Sequence, residues 1–179
     1  MTKKRYSIIA MLLHWAIAIA VIVNWRIAES AEHLPDAERG AVMANHFALG
    51  MLILVLTVLR IIWRLINPPP PKGRHLQPWE RLLATITHSA FYVLLISLPL
   101  LGWIGMSGYD YAIDMFGVVW PVLPVGFGEE RVGQIIDVHA TLGTVMLVLI
   151  ALHILGALKH TFIDKDGNLF RMLPFGSPK

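Results

Sequence analysis

Apolar residues in this chain fall into long unbroken runs rather than the short alternations of a water-soluble fold. Four runs, Ile8 to Trp25, Phe47 to Ile66, Leu82 to Met106 and Ile135 to His160, each reach the ~17 to 25 residues a helix needs to cross the hydrocarbon layer of a bilayer. With no water in that layer, each crossing segment must satisfy its own backbone, which a helix does and an open strand does not. The pattern therefore predicts an all-α membrane protein, one bundle of four transmembrane helices spanning approximately residues 8–25, 47–66, 82–106 and 135–160 of a single domain, 1–179. The longest piece between runs, Ser107 to Gln134, is well under the ~50 residues of a small independent domain. Any chemistry then belongs inside the bundle or at its two mouths.

Punctuation residues mark where the helices stop. Pro68 to Pro71 form a stiff extended run that cannot continue the second helix, because proline lacks the donor and clashes with the preceding turn. Leu34 to Arg39, with Asp36 near the positive end of a helix, predicts that this helix begins well before its apolar part. The stretch Gly108 to Gly128 is apolar but broken by Gly117, Pro121, Pro124 and Gly126, so it is expected at the outer membrane interface and not across the bilayer. Trp103 and Trp120 on that side, and Trp63 and Trp79 on the other, suit the aromatic belts found at headgroup level. Pro99 and Gly102 are candidates for a kink in the third helix.

Charge sets the orientation. Only 15% of the 179 residues are charged, against roughly 25% in soluble domains, and they are distributed unevenly. The N-terminus (Lys3, Lys4, Arg5), the segment around the second connection (Arg60, Arg64, Lys72, Arg74, Arg81) and the tail (Lys159, Lys165, Arg171, Lys179) hold twelve of the fifteen basic residues. Arg26, Arg39 and Arg131 face nine acidic residues on the other side, so the formal +3 divides into about +9 and −6. Excess Lys and Arg in short loops marks the cytoplasmic side, so both termini are expected to be cytoplasmic, and the basic pI reflects topology and not a nucleic-acid partner. A secretory signal is the competing reading of the first thirty residues, but its apolar core is usually ~7 to 15 residues, shorter than the run here, which also contains His14 and Trp15. The absence of cysteine excludes disulfides, thiolate metal sites and covalent haem attachment.

Five of the eight histidines, His14, His46, His88, His139 and His153, lie within or at the edge of the predicted spans. An ionisable side chain there is costly and normally marks an ion path, a proton relay or a bound group, although a single histidine also serves as hydrogen-bonding glue between helices. His139 and His153 are fourteen residues apart on one helix, about four turns and roughly 21 Å of rise, so they face nearly the same way. That separation is too long for one metal atom and suits two stacked planar groups, one in each leaflet. By depth, His14 matches His153 on the cytoplasmic side and His46 matches His139 on the outer side. Two histidine pairs at two depths suit two haem irons. Gly50 and Gly143, one turn from His46 and His139, and Ala18 and Gly156 near the other pair thin the helix walls, a feature also common at plain membrane helix contacts.

The segments Leu13-His14-Trp15, Asn45-His46, Thr87-His88-Ser89, Val138-His139-Ala140, Leu152-His153 and Lys159-His160 resemble, over nearly the whole chain, the bacterial di-haem cytochrome b561 family, related to the cytochrome b subunits of nickel hydrogenases. The resemblance implies a multi-pass protein of the bacterial inner membrane holding two non-covalent haem b groups. It implies that His14 and His153 ligate the cytoplasmic-side haem and His46 and His139 the periplasmic one. It also implies that His88 contacts a haem propionate or a quinone, and it makes His160 with Lys159 a quinone-site candidate. For that last pair, snorkelling toward anionic lipid headgroups is the alternative.

Two stacked haems would carry electrons between the membrane quinone pool, ubiquinone by expectation, and an unidentified redox donor at the outer face. One branch of the family resembles a superoxide oxidase that passes electrons from superoxide to ubiquinone. A superoxide anion is best steered by a positive funnel, whereas the outer loops here are net acidic. A haem-bearing membrane anchor for a larger oxidoreductase shares every feature above. A haem-free proton or metal-ion carrier would want carboxylates beside the imidazoles, and Asp137 alone stands at a span's edge. A homodimer is left open, and His33 and His75 are assigned only to loops.

Overall fold

The computed structural model describes residues 5–71 and 77–176. Lys3, Lys4, Lys72, Arg74, His75 and Lys179 lie outside the described residues. Four helices carry the architecture: α1 (Ile8–Glu32), α2 (Asp36–Ile66), α3 (Pro78–Gly108) and α4 (Glu129–Leu158). All four are long and apolar enough to cross a membrane. α1 packs on α2, α2 on α3 and α3 on α4, giving the four-helix bundle.

Local chemistry explains the helix boundaries. The Ser7 hydroxyl accepts from the Ala10 amide at 3.3 Å and opens α1. α2 starts at Asp36, with Asp36 and Glu38 in its first turn, where acidic groups complement the helix dipole, and ends at Asn67, just before the four prolines. Pro78 occupies the first turn of α3, where its missing N–H costs nothing, and the Gln77 amide donates to Glu80 Oε2 at 2.9 Å. Pro99 lies inside α3, which nevertheless continues to Gly108. Arg60 and Arg64, counted above with the second connection, lie within α2 itself. Arg64 rests over the Tyr92 ring at 5.9 Å.

The stretch after α3 is more than an interfacial segment. Ile113–Met115 (β1) and Val118–Trp120 (β2) form an antiparallel hairpin, with Ile113 opposite Trp120. Ile113 is only 2% exposed and joins Met51 and Leu54 in a buried cluster, so the hairpin is clamped to α2. Trp103 and Trp120, expected as separate belt residues, meet edge to face at 5.0 Å, and Trp103 Nε1 donates to the Pro121 carbonyl at 2.9 Å. The Leu123 amide donates to buried Ser107 Oγ at 3.1 Å. At this hairpin end α3 and α4 approach closely: a Cβ added to Gly105 would come within 2.5 Å of Ile136 Cδ1, and Gly108 abuts the fully buried Val132.

Both ends of the described chain meet at the opposite mouth, the terminal end. After α4 comes a π-helical turn (Lys159–Ile163), then a 3₁₀ turn (Asn168–Met172). Arg171 donates to the carbonyls of Pro70 (3.1 Å) and Pro71 (2.6 Å), and the Tyr6 amide to the Arg171 carbonyl (3.1 Å). Trp15 Nε1 donates to the Met172 carbonyl at 2.9 Å, and Arg5 to those of Pro174 and Gly176. The tail thus straps α4 to the start of α1 and to the proline run that follows α2.

Candidate functional site

Two pairs of imidazoles stand between α4 and the α1/α2 half of the bundle. At the hairpin end, His46 of α2 faces His139 of α4 with ring centres 6.0 Å apart. At the terminal end, His14 of α1 faces His153 of α4 with centres 6.4 Å apart. All four rings are half-buried. These are the pairs selected above by depth along the helices.

The ring spacing is chemically informative. Two imidazoles ligating one metal from opposite sides, at the usual nitrogen–metal distance of roughly 2 Å, stand about 6 Å apart centre to centre. Among the described residues, neither pair belongs to a group of three His, Asp or Glu donors with ligand atoms within 4.8 Å of one another. A bare ion would therefore find two protein ligands, too few for the usual tetrahedral or octahedral sites. A flat tetradentate macrocycle brings the remaining four.

Orientation of the hairpin-end pair comes from other helices. His46 Nδ1 lies 3.1 Å from the Asn24 carbonyl of α1, and His139 Nδ1 lies 2.9 Å from the Leu98 carbonyl of α3. A carbonyl only accepts, so Nδ1 carries the hydrogen in both rings and Nε2 is left with a free lone pair. Room is provided as well. Gly102 puts no side chain where a Cβ would lie 3.5 Å from His139 Cε1, and a Cβ on Gly143, one turn from His139, would meet nothing within 4 Å. Asn24 Oδ1 and Ser97 Oγ, adjoining these two anchoring carbonyls along the chain, are buried without a hydrogen-bond partner among the described residues. Open helix walls, orphaned polar atoms and two bare imidazole nitrogens together fit a bound planar iron porphyrin.

The terminal-end pair is framed by rings. Phe91 and His88 of α3 approach His153 at 5.4 and 5.5 Å between centres, and Trp15 lies 5.2 Å from His14. His88 is exposed, so it borders this pair without being enclosed by it. His33 caps the far end of α1, away from both pairs.

Lys159 and His160 sit at the terminal mouth in a charged network that the linear sequence concealed. Lys159 Nζ contacts Glu80 Oε1 of α3 at 2.8 Å and Asp164 Oδ2 at 2.7 Å. His160 Nδ1 lies 3.0 Å from Asp164 Oδ2 and 2.8 Å from the nearly buried Asp166 Oδ2, whose other oxygen accepts from the Asn168 amide at 2.8 Å. The donors Glu80, His160 and Asp164 are close enough to hold a cation. The Lys159 ammonium already occupies those carboxylates, so the group reads as an ion-pair network. With Nδ1 engaged, His160 has Nε2 to offer a ligand. The two aspartates follow His160 within six residues and were visible as charges, but Glu80 arrives from a helix 79 residues away.

On the hairpin side, Arg26 pairs with Glu29, and Arg39 pairs with Asp36 at 3.3 Å. Arg131 is exposed and makes no ion pair among the described residues.

Similar proteins match this chain over nearly its whole length. Residues 5–175 match the family model for prokaryotic cytochrome b561. A protein of Yersinia pestis named probable superoxide oxidase CybB is 30% identical over 175 positions, covering 96% of this chain and 97% of the relative. Cytochrome b561 homolog 2 of Escherichia coli is 32% identical over 181 positions, covering 96% and 93%. Cytochrome b562 of Cereibacter sphaeroides is 28% identical over 174 positions, covering 94% of each chain. With a family match across nearly its whole length, four membrane-spanning helices and b-type haem implied by its relatives, this multi-pass bacterial inner-membrane chain belongs to the prokaryotic cytochrome b561 family of electron-transfer proteins.

Proposed function

We propose that the protein moves electrons across the bilayer through two haem b groups, one held by His46 and His139 and the other by His14 and His153, and exchanges them with the membrane quinone pool. The observation that carries this reading is the presence of two facing imidazole pairs, 6.0 and 6.4 Å between centres, at two depths on one helix. With both termini cytoplasmic by the distribution of Lys and Arg, His14 and His153 serve the cytoplasmic half and His46 and His139 the periplasmic half. Each bound haem supplies one-electron chemistry at iron, and the chain supplies ligands, spacing and dielectric.

The Asn24 and Leu98 carbonyls hold His46 and His139 in the tautomer that ligates through Nε2. His88, bordering His153, serves a propionate or the quinone. At the cytoplasmic mouth Asp164 and Asp166 take the His160 Nδ1–H and orient the ring, so that Nε2 accepts from a quinol hydroxyl when the imidazole is neutral and donates to a quinone carbonyl only when the ring carries a second proton. Lys159 is engaged by Glu80 and Asp164, so its part is to hold α3 to α4 beside the quinone. Haem stoichiometry by pyridine haemochrome, with a reduced-minus-oxidised spectrum, tests the reading: two haems are expected. His46→Ala and His14→Ala should each remove a different spectral component, and loss of the same component from both would overturn the pairing.

A second reading makes superoxide the outer donor, favoured by the name of the Yersinia pestis relative. Against it, the outer loops are acidic and two of their three arginines are already paired, which better suits a cationic donor protein. Catalysed superoxide consumption by the purified holoprotein decides between them.

A further inference from the structure

Arg60 lies inside α2, six residues before its end, and is half-buried. A guanidinium carries five N–H donors and keeps its charge. Here its single hydrogen bond among the described residues runs from Nη1 to the Ala10 carbonyl at 2.7 Å, and no carboxylate pairs with it there. Charge within a membrane span is expensive and persists where it meets a counter-charge or a bound group. Ala10 is four residues, one turn, from His14 on α1, so Arg60 reaches the bundle beside the terminal-end imidazole pair. Other polar groups at this mouth are engaged: Lys159 lies between Glu80 and Asp164, His160 lies against Asp164 and Asp166, Arg64 rests over Tyr92, and Arg5 and Arg171 donate to backbone carbonyls. Arg60 thus stands within a membrane-spanning helix and, among the described residues, meets no carboxylate.

We propose that Arg60 is part of the cytoplasmic-side haem site, the counter-charge of an anionic porphyrin bound between His14 and His153, and that it raises the reduction potential there above that of the haem at His46 and His139. Reduction of ferric to ferrous iron adds one electron, and a fixed positive charge in a low-dielectric interior favours the more negative state. The other pair is biased in the opposite sense. Both His46 and His139 donate Nδ1–H to a carbonyl, which makes imidazole a stronger donor and favours ferric iron, whereas no such bond anchors His14 or His153 among the described residues. Electrons arriving at the outer face would then run energetically downhill toward the cytoplasmic mouth.

This inference rests on the two-haem reading. The test is a spectrally resolved redox titration of the purified holoprotein, its components assigned by their loss in His14→Ala and His46→Ala. In the unaltered protein the component lost with His14 should have the higher midpoint, and the reverse order overturns the proposal without any Arg60 variant. Arg60→Gln should shift the ferric/ferrous equilibrium of that component at least tenfold toward ferric, about 59 mV for one electron, with the other component unmoved and Arg60→Lys restoring most of the shift. Two haems with unmoved midpoints in Arg60→Gln, or a shift on the His46 component, would reduce Arg60 to a packing link between α1 and α2. A preparation that binds no haem overturns instead the reading beneath it.

Discussion

The Leu98 carbonyl and His139 Nδ1 are 41 residues apart in the chain and 2.9 Å apart in space. This contact makes a helix backbone the device that orients a ring on its neighbour. A side chain placed between the two helices at this level should therefore act on the ring before it acts on the fold.

Gly102 is that position. A Cβ there lies 3.5 Å from His139 Cε1, ordinary contact, so Gly102→Ala should keep both haems. Gly102→Leu adds branches beside the ring, and it should lower haem content from two to one while sparing the component assigned to His14. Unchanged stoichiometry in the leucine variant would show that the ring does not need its present orientation.

At the opposite mouth, Asp166 holds His160 Nδ1 at 2.8 Å. Asp166→Asn and His160→Gln should leave the haem spectra intact and slow oxidation of the reduced haems by added quinone, by on the order of 100-fold if the imidazole works as an acid–base group. The pH profile of the residual rate should flatten in both variants. Normal rates in His160→Gln would move the quinone elsewhere.

The close approach of α3 and α4 makes a stability prediction free of redox chemistry. Gly108→Ala places a methyl against Val132, which is fully buried, and overpacking of this kind costs about 1 to 3 kcal/mol. Thermal unfolding in detergent should register the loss. Gly133→Ala on α4, where an added Cβ meets nothing within 4 Å, is the matched control and should be near neutral.

If superoxide is the outer donor, Arg131 should matter more than Arg26, because Arg26 is already paired with Glu29. Arg131→Gln should then slow superoxide consumption several-fold in low salt and less in high salt, as screened steering requires. Equal effects of the two substitutions, or no salt dependence, would remove electrostatic capture from the account.

Much of this protein is local in origin and could be read from the chain. Span number follows from apolar run length, and the boundaries of α2 near Asp36 and Asn67 from helix-start and proline chemistry, whereas the start of α3 at Pro78, four residues ahead of its apolar run, was not read. The depth of each histidine follows from a fixed rise per residue, which is why His14 could be matched with His153 and His46 with His139 before any tertiary contact was known. The hairpin Ile113–Trp120 escaped because its two strands have three residues each, too few for an alternation to register.

Tertiary structure alone decided which helix neighbours which, and with it every long-range partner: Asn24 and Leu98 for the rings, Glu80 for Lys159, Ala10 for Arg60. The physical reason is that lipid and a neighbouring helix are almost equally apolar, so the hydrophobic pattern records how deep a residue lies but hardly which way it points. Direction around the helix axis is settled by close packing and by polar groups that must find partners inside the bundle, and those partners come from segments distant in the chain.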